Sequence, residues 1–238
     1  MKQHNATTIK WLAISIIILI GLLLSWHSVS AQVDYGVEEI LSVKWSPDGS
    51  KIAVGAGPPV CNPDDNSAYA LKILDAATGT LLNTLRGHSC YVNSLAWSYD
   101  GTKLVSGSGD GTSIVWDVSS GSQLSMAQSL GPDSIGSLSW RPDGNRYVGV
   151  VHAGGRVYIW NAITGQPINN DVAFAGSPSN PIASVDWSAD SSKIATGSAE
   201  NGNINIWNAT TGSVITTLTG HLGRVASVKW SPNGNRLA

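Results

Sequence analysis

Residues 106–117 read SGSGDGTSIVWD, and the way this stretch ends decides the fold. Small residues give way to a short run, Ser113-Ile114-Val115, which stops at Trp116-Asp117. The ending returns as VYIWN at 157–161 and INIWN at 204–208. Runs this short, rich in Ile and Val and bounded by Gly, Ser, Thr and Asn, read as strands. Each ending passes into a turn of one pattern: DVSSGS (117–122), NAITGQ (161–166), NATTGS (208–213), and DAATGT (75–80) after a Leu in place of the Trp.

Upstream of these endings runs a second ladder, Trp45, Trp97, Trp140, Trp187 and Trp230, with rungs roughly 43–52 residues apart. Each rung closes an alternating run: ILSVKW, VNSLAW, IGSLSW, IASVDW and VASVKW. Period two with one apolar face is a half-buried strand. Each rung opens a turn: SPDG (46–49), SYDG (98–101), RPDG (141–144), SADS (188–191) and SPNG (231–234). Pro sets φ, Asp or Asn bonds back to the backbone, and Gly takes the left-handed dihedral. Second strands follow (KIAVGA, KLVSGS, RYVGVV, KIATGS), and a weaker fourth precedes the next rung, as in LLNTLRGH (81–88) and VITTLTGH (214–221). Each unit therefore holds four short antiparallel strands. One such sheet leaves both faces to be covered, and stacking units around an axis covers them. The expected fold is an all-β propeller of four-stranded antiparallel blades, four complete and a fifth partial.

The composition agrees. The 238 residues include 26 Gly and ten Trp but one Phe, and only 13% are charged; many turns and short strands are expected. A net charge of −2 without a basic run argues against nucleic acid as the main partner, because phosphate binding needs clustered cations. The chain carries no phosphate-binding loop and no His/Cys cluster at metal-ligand spacing, so no cofactor and no metal are expected.

Residues 1–31 stand apart. Lys2 and Lys10 precede the apolar run WLAISIIILIGLLLSW (11–26), and Val29 and Ala31 occupy the small-residue positions of a cleavage site. This is the plan of a secretory signal peptide; the alternative is a retained membrane anchor formed by residues 11–26. The expectation is an exported chain, periplasmic or extracellular, whose only tie to a membrane is this segment. Residues 32–238 form the propeller, with repeats at about 37–86, 87–130, 131–178, 179–219 and a partial 220–238.

These residues bear a family likeness. Gly87-His88 and Gly220-His221 open repeats, Trp116-Asp117 closes one, and Trp45-Ser46-Pro47-Asp48-Gly49 is a turn shared with related propellers. Over residues 37–238 the chain resembles the WD-repeat (Trp-Asp repeat) family. The resemblance implies a buried hydrogen-bonded group in each repeat, which the second matches as His88, Ser106, Asp110 and Trp116. The fourth has Thr196, Asn201 and Trp207 without the Gly-His pair; the third keeps Trp160 but has Gly154 for the Asp; the first has Leu74-Asp75. Those repeats are expected to rely on packing alone. A hydrolase reading of His88, Ser106 and Asp110 lacks a G-x-S-x-G elbow.

In a propeller, the loop carrying Cys61 and the connection carrying Cys90 open on one face of neighbouring blades, which permits a disulfide in an exported chain. The resemblance further implies a non-enzymatic scaffold that binds a protein or peptide through the face of the Gly-His loops. Tyr91 and Arg224, just after the two Gly-His pairs, and Asp64 and Asp65 in the insertion after the second strand are its candidate contacts. Two alternatives remain open at this point: the propeller part of a larger enzyme or transport-associated protein, or an anchored extracellular sensor. The sequence stops inside a second strand, at WSPNGNRLA (230–238), and this reads as a C-terminally truncated propeller.

Overall fold

The computed structural model describes residues 39–58, 61, 69–129, 133–151, 156–168, 174–175 and 181–238. The leader expectation at 1–31 lies outside them, as do Asp64, Asp65 and Gly154.

The described strands form four antiparallel sheets, each a meander in chain order. The first holds β1 (Glu39–Trp45), β2 (Lys51–Gly57), β3 (Leu71–Asp75) and β4 (Leu81–Leu85). The second holds β5 (Val92–Trp97), β6 (Lys103–Ser108), β7 (Thr112–Asp117) and β8 (Gln123–Gln128). The third holds β9 (Ile135–Trp140), β10 (Arg146–Val151), β11 (Arg156–Asn161) and the two-residue β12 (Phe174–Ala175). The fourth holds β13 (Ile182–Trp187), β14 (Lys193–Ser198), β15 (Ile204–Asn208) and β16 (Val214–Leu218). Beyond it, residues 220–238 carry one isolated bridge, Trp230 to Leu237. The fold is all-β, with four blades and the start of a fifth.

Both turn families explain their residue choices. In SPDG-type turns, Ser46 Oγ donates to Asp48 Oδ1 at 2.6 Å and accepts the Lys51 N–H at 2.9 Å, locking the hairpin. Ser98 with Asp100 and Ser188 with Asp190 repeat this. The fourth turn position is left-handed throughout: Gly49, Gly101, Gly144 and Gly234 have φ near +70°, and Ser191 sits at +64°. In the other family, the residue after the strand-ending Trp is an acceptor. Asp117 Oδ1 takes the Ser120 N–H at 2.8 Å, and Asn161 and Asn208 do the same for Thr164 and Thr211. Asp and Asn serve equally because the turn needs an oxygen, not a charge.

The core lies between the sheets. Each first strand packs on the first two strands of the sheet before it: β5 on β1 and β2, β9 on β5 and β6, and β13 on β9 and β10. Separate apolar layers fill the gaps; Leu95, Trp97 and Trp116 belong to the first, and Leu138, Trp140 and Trp160 to the second. Glycine permits the closest approach. A Cβ at Gly55 would lie 2.8 Å from the Val92 carbonyl oxygen, and one at Gly107 would lie 2.8 Å from that of Ile135. The Trp rungs also link blades by hydrogen bonds. Trp97 Nε1 donates to Lys44 O at 3.0 Å, and Trp140 Nε1 to Ala96 O at 2.8 Å, one residue before the preceding rung each time. Trp187 and Trp230 break the series with buried, unpartnered Nε1 atoms.

Candidate functional site

The second blade carries the polar group that contains Ser106. Strand β6 presents Ser106 beside Trp116 of β7, while His88 arrives from the connection after β4. Trp116 Nε1 donates to Ser106 Oγ at 2.8 Å, and Ser106 Oγ lies 2.7 Å from His88 Nε2. His88 Nδ1 lies 3.0 Å from Asp110 Oδ2. The carboxylate only accepts, so Nδ1 carries the proton; Nε2 is then an acceptor and takes the Ser106 proton. Each member of the relay thus has a partner. Asp110 also accepts the Ser89 and Thr112 N–H groups, at 2.9 and 2.8 Å. Burial alone would raise its carboxyl, but hydrogen bonds from His88, Thr112 and Ser89 outweigh burial and hold it below the usual carboxylate range.

The order Asp–His–Ser is that of a nucleophilic triad. What decides against that use is access: His88 and Ser106 are each 0% exposed, and the Ser106 oxygen already accepts from an indole. No acyl carbon reaches it. The arrangement ties the Gly-His loop, the β6–β7 turn and the strand-ending Trp together.

The other blades depart from this in physically distinct ways. The expectation that they rest on packing alone fails for the fourth, where Trp207 Nε1 donates to Thr196 Oγ1 at 2.8 Å. That half of the relay needs no His. In the third blade, Gly149 stands in register with Ser106, and a Cβ there would lie 2.8 Å from Trp160 Cζ3. Trp160 occupies the room a hydroxyl would need, stacked on Tyr147 with centroids 5.4 Å apart. Tyr147, fully buried, exchanges a 2.8 Å hydrogen bond with Ser113 of the blade before, and burial pushes its phenol well above the usual range.

Cys61 and Cys90 are joined in a disulfide with Cα atoms 4.6 Å apart. It pins the insertion after β2 to the connection between the first two blades. Tyr91 beside it is half-buried rather than projecting: its Cα crowds Gly57, and its ring atoms lie against Gly109. Arg224 is exposed and lines a cavity of about 360 Å³, so Tyr91 and Arg224 do not share a patch of equal exposure. Asp64 and Asp65 lie outside the described residues.

The cavity itself escaped the reading of the sequence. It is walled by β1, β5, β9, β13 and residues 224–229. Its signal was present: every rung has Ser three residues earlier (Ser42, Ser94, Ser137, Ser184, Ser227), whereas the residue just before the rung varies as Lys44, Ala96, Ser139, Asp186 and Lys229. Invariant small residues with one variable tier describe a channel wall. No group of three or more His, Cys, Asp or Glu residues able to hold a metal occurs among the described residues.

Comparison with known proteins agrees with this architecture. The family described as WD domain, G-beta repeat, matches residues 79–117, 170–208 and 212–238. The chain is 32% identical over 99 residues to Echinoderm microtubule-associated protein-like 3 of Mus musculus, covering 41% of this chain and 10% of that protein. It is 32% identical over 117 residues to the Periodic tryptophan protein 2 homolog of Schizosaccharomyces pombe, covering 49% of this chain and 14% of the relative. The matches thus span a small fraction of these relatives' length. Among solved structures, the beta-propeller domain of Myceliophteria thermophila Cps50 (Swd1) superposes with a TM-score of 0.70 at 17% identity, over 84% of this chain and 61% of that one. The matched segments are similar to WD repeats, and the sheets that contain them are arranged as propeller blades.

Proposed function

We propose that this chain is a non-enzymatic scaffold, exported across a membrane, that binds a protein or peptide partner on its exposed loops. The observation that carries the reading is the burial of the Ser106–His88–Asp110 relay: the one arrangement of catalytic type among the described residues is spent on holding a blade together. What a rigid stack of blades offers a partner is its loop faces and channel. The microtubule-associated protein named above, to which part of this chain is similar, lends support to a binding role.

Export rests on two features of different kinds. The first is the charged-apolar-small plan of residues 1–31. The second is the Cys61–Cys90 disulfide, because such bonds persist in oxidising compartments. The test is to express the whole chain with its leader, fractionate, and measure the intact mass of the exported form. A chain beginning near Gln32, with both thiols oxidised, is expected. Intracellular accumulation with two free thiols would overturn export. Detection of Lys2 in the exported form would replace the cleaved leader by the anchor. For binding, crosslinking in the exported fraction should capture a partner through Arg224, with Arg224→Glu reducing capture; equal capture by both would move the surface elsewhere.

A further inference from the structure

Asp186 stands one residue before its Trp rung, at the end of β13 next to the SADS turn, and it is a crowded acid. Its Oδ1 accepts from Ser139 Oγ at 3.0 Å and from Lys229 Nζ at 2.6 Å, and its Oδ2 accepts the Trp230 N–H at 2.8 Å. Its side chain is only 10% exposed, whereas that of Lys229 is 54% exposed. The residues one before the rung therefore meet in one tier of the channel, and Asp186 is the only acid in that tier.

Lys44 belongs to the same tier and is left over. No carboxylate among the described residues pairs with its ammonium. Burial pushes its pKa down, the like charge of Lys229 pushes the same way, and Asp186 opposes them. Lys44, Lys229 and Arg224 are the charged residues that line the cavity, and no acid lines it. Lys44 is exposed, so its ammonium is open to an anion from solution. It is more conspicuous in a chain whose net charge is −2.

We infer that this cavity binds an oxyanion group, a carboxylate or a phosphate, held by Lys44 and Lys229 at the end of the inner strands that adjoins the SPDG-type turns. Ser137 adds a hydroxyl to the same wall; its oxygen accepts the Val185 N–H at 3.2 Å, which leaves its proton for a ligand. A cavity of about 360 Å³ admits one acidic side chain or one phosphate ester, not a folded surface. Arg224, the contact proposed above for a partner, lines the same cavity, so the test changes Lys44 and leaves Arg224 in place, and its outcome is read apart from that of Arg224→Glu.

The test uses the whole chain and two probes at low ionic strength, followed by titration calorimetry: pyrophosphate, and a short Glu-containing peptide with its Gln counterpart as control. At least one probe should bind, and added salt should weaken it. Lys44→Ala should weaken binding about ten-fold, the loss of one charge-assisted contact. Lys44→Arg should retain it, and Lys103→Ala, outside the cavity, should leave it unchanged. Circular dichroism should be identical in all variants, since the Lys44 side chain makes no hydrogen bond among the described residues. Binding of the peptide alone would place the anion on a partner chain; binding of pyrophosphate alone would place it on a free ester; either supports the site. Binding of neither probe, equal binding of the Gln control, or undiminished binding by Lys44→Ala would overturn it.

Discussion

At the residue scale, the relay around Ser106 shows how a structural group borrows the parts of a catalytic one. Ser106 is the hub, since it accepts from Trp116 and donates to His88. Ser106→Ala removes both partners at once and leaves a buried indole N–H and a buried imidazole nitrogen unsatisfied. The expected cost is about 1–3 kcal/mol in urea denaturation. Thr196→Val removes only the acceptor of Trp207 and should cost less than Ser106→Ala. Asp110 makes the same relay sensitive to acid. Its folded carboxyl lies below the ordinary value near 4, so its contribution is fully present above about pH 4 and drains away as the pH falls below that. Asp100 and Asp190, each brought to about 2 first by its turn serine, act in the same window. Melting temperature should therefore fall between pH 4 and 2, and Asp110→Asn should flatten part of that slope. Ser191 offers a change of opposite sign. It sits at φ +64° where the other turns of its kind have Gly, so Ser191→Gly should stabilise by about 0.5–1 kcal/mol in the same assay. The residue types of the relay were legible only through the family likeness. His88 and Ser106 are 18 residues apart with no local pattern joining them, and nothing in the sequence said that Trp160 would fill the space over Gly149.

At the scale of elements, the strands and turns were legible because every level of the sequence points the same way: alternation, turn chemistry and a Trp at fixed phase. The joints between blades were less so, because they are made by the absence of side chains. Gly55 and Gly107 read as ordinary strand glycines until the Val92 and Ile135 carbonyls are seen against them. Gly107→Ala places a Cβ 2.8 Å from a backbone oxygen that no rotamer change can move, so it should cost about 1–3 kcal/mol. Gly223→Ala, which meets nothing within 4 Å, should be nearly neutral. The family match at residues 79–117 adds a second kind of joint. It begins just before β4, the last strand of one sheet, and ends with β7, the third strand of the next, so each sequence repeat straddles two blades. The Cys61–Cys90 disulfide crosses the same junction over a separation of 29 residues. Closing a loop of about 30 residues is worth about 3–4 kcal/mol in the chain-entropy model. Cys61→Ser should lower stability by that order, and the wild-type protein in strong reductant should match the variant. A smaller loss would mean that the insertion is already held by Tyr91 and its neighbours.

At the scale of the whole described unit, the repeats are equivalent in sequence but not in environment, and this separates what the pattern encodes from what the stack supplies. Val43, Leu95, Leu138 and Val185 occupy one position of the inner strands. Leu95 and Val185 are each 1% exposed and Leu138 is 5% exposed, because the second strand of the preceding blade covers them. Val43 is 37% exposed and its neighbour Trp45 is 47% exposed, since no described residue plays that part for β1. Sequence alone cannot show this difference, because ILSVKW and IASVDW carry the same face. Burial energy belongs to the pair of blades rather than to the strand, so one substitution should have opposite consequences at equivalent sites. Leu95→Asp forces an unpaired carboxylate into the first apolar layer and should cost more than about 3 kcal/mol or prevent folding. Val43→Asp should be tolerated within about 0.5 kcal/mol and should reduce any self-association detected by sedimentation, because it removes apolar surface that water already touches. If Val43→Asp proves as damaging as Leu95→Asp, the face of β1 is covered in solution, and the covering segment can then be sought by crosslinking from Lys44.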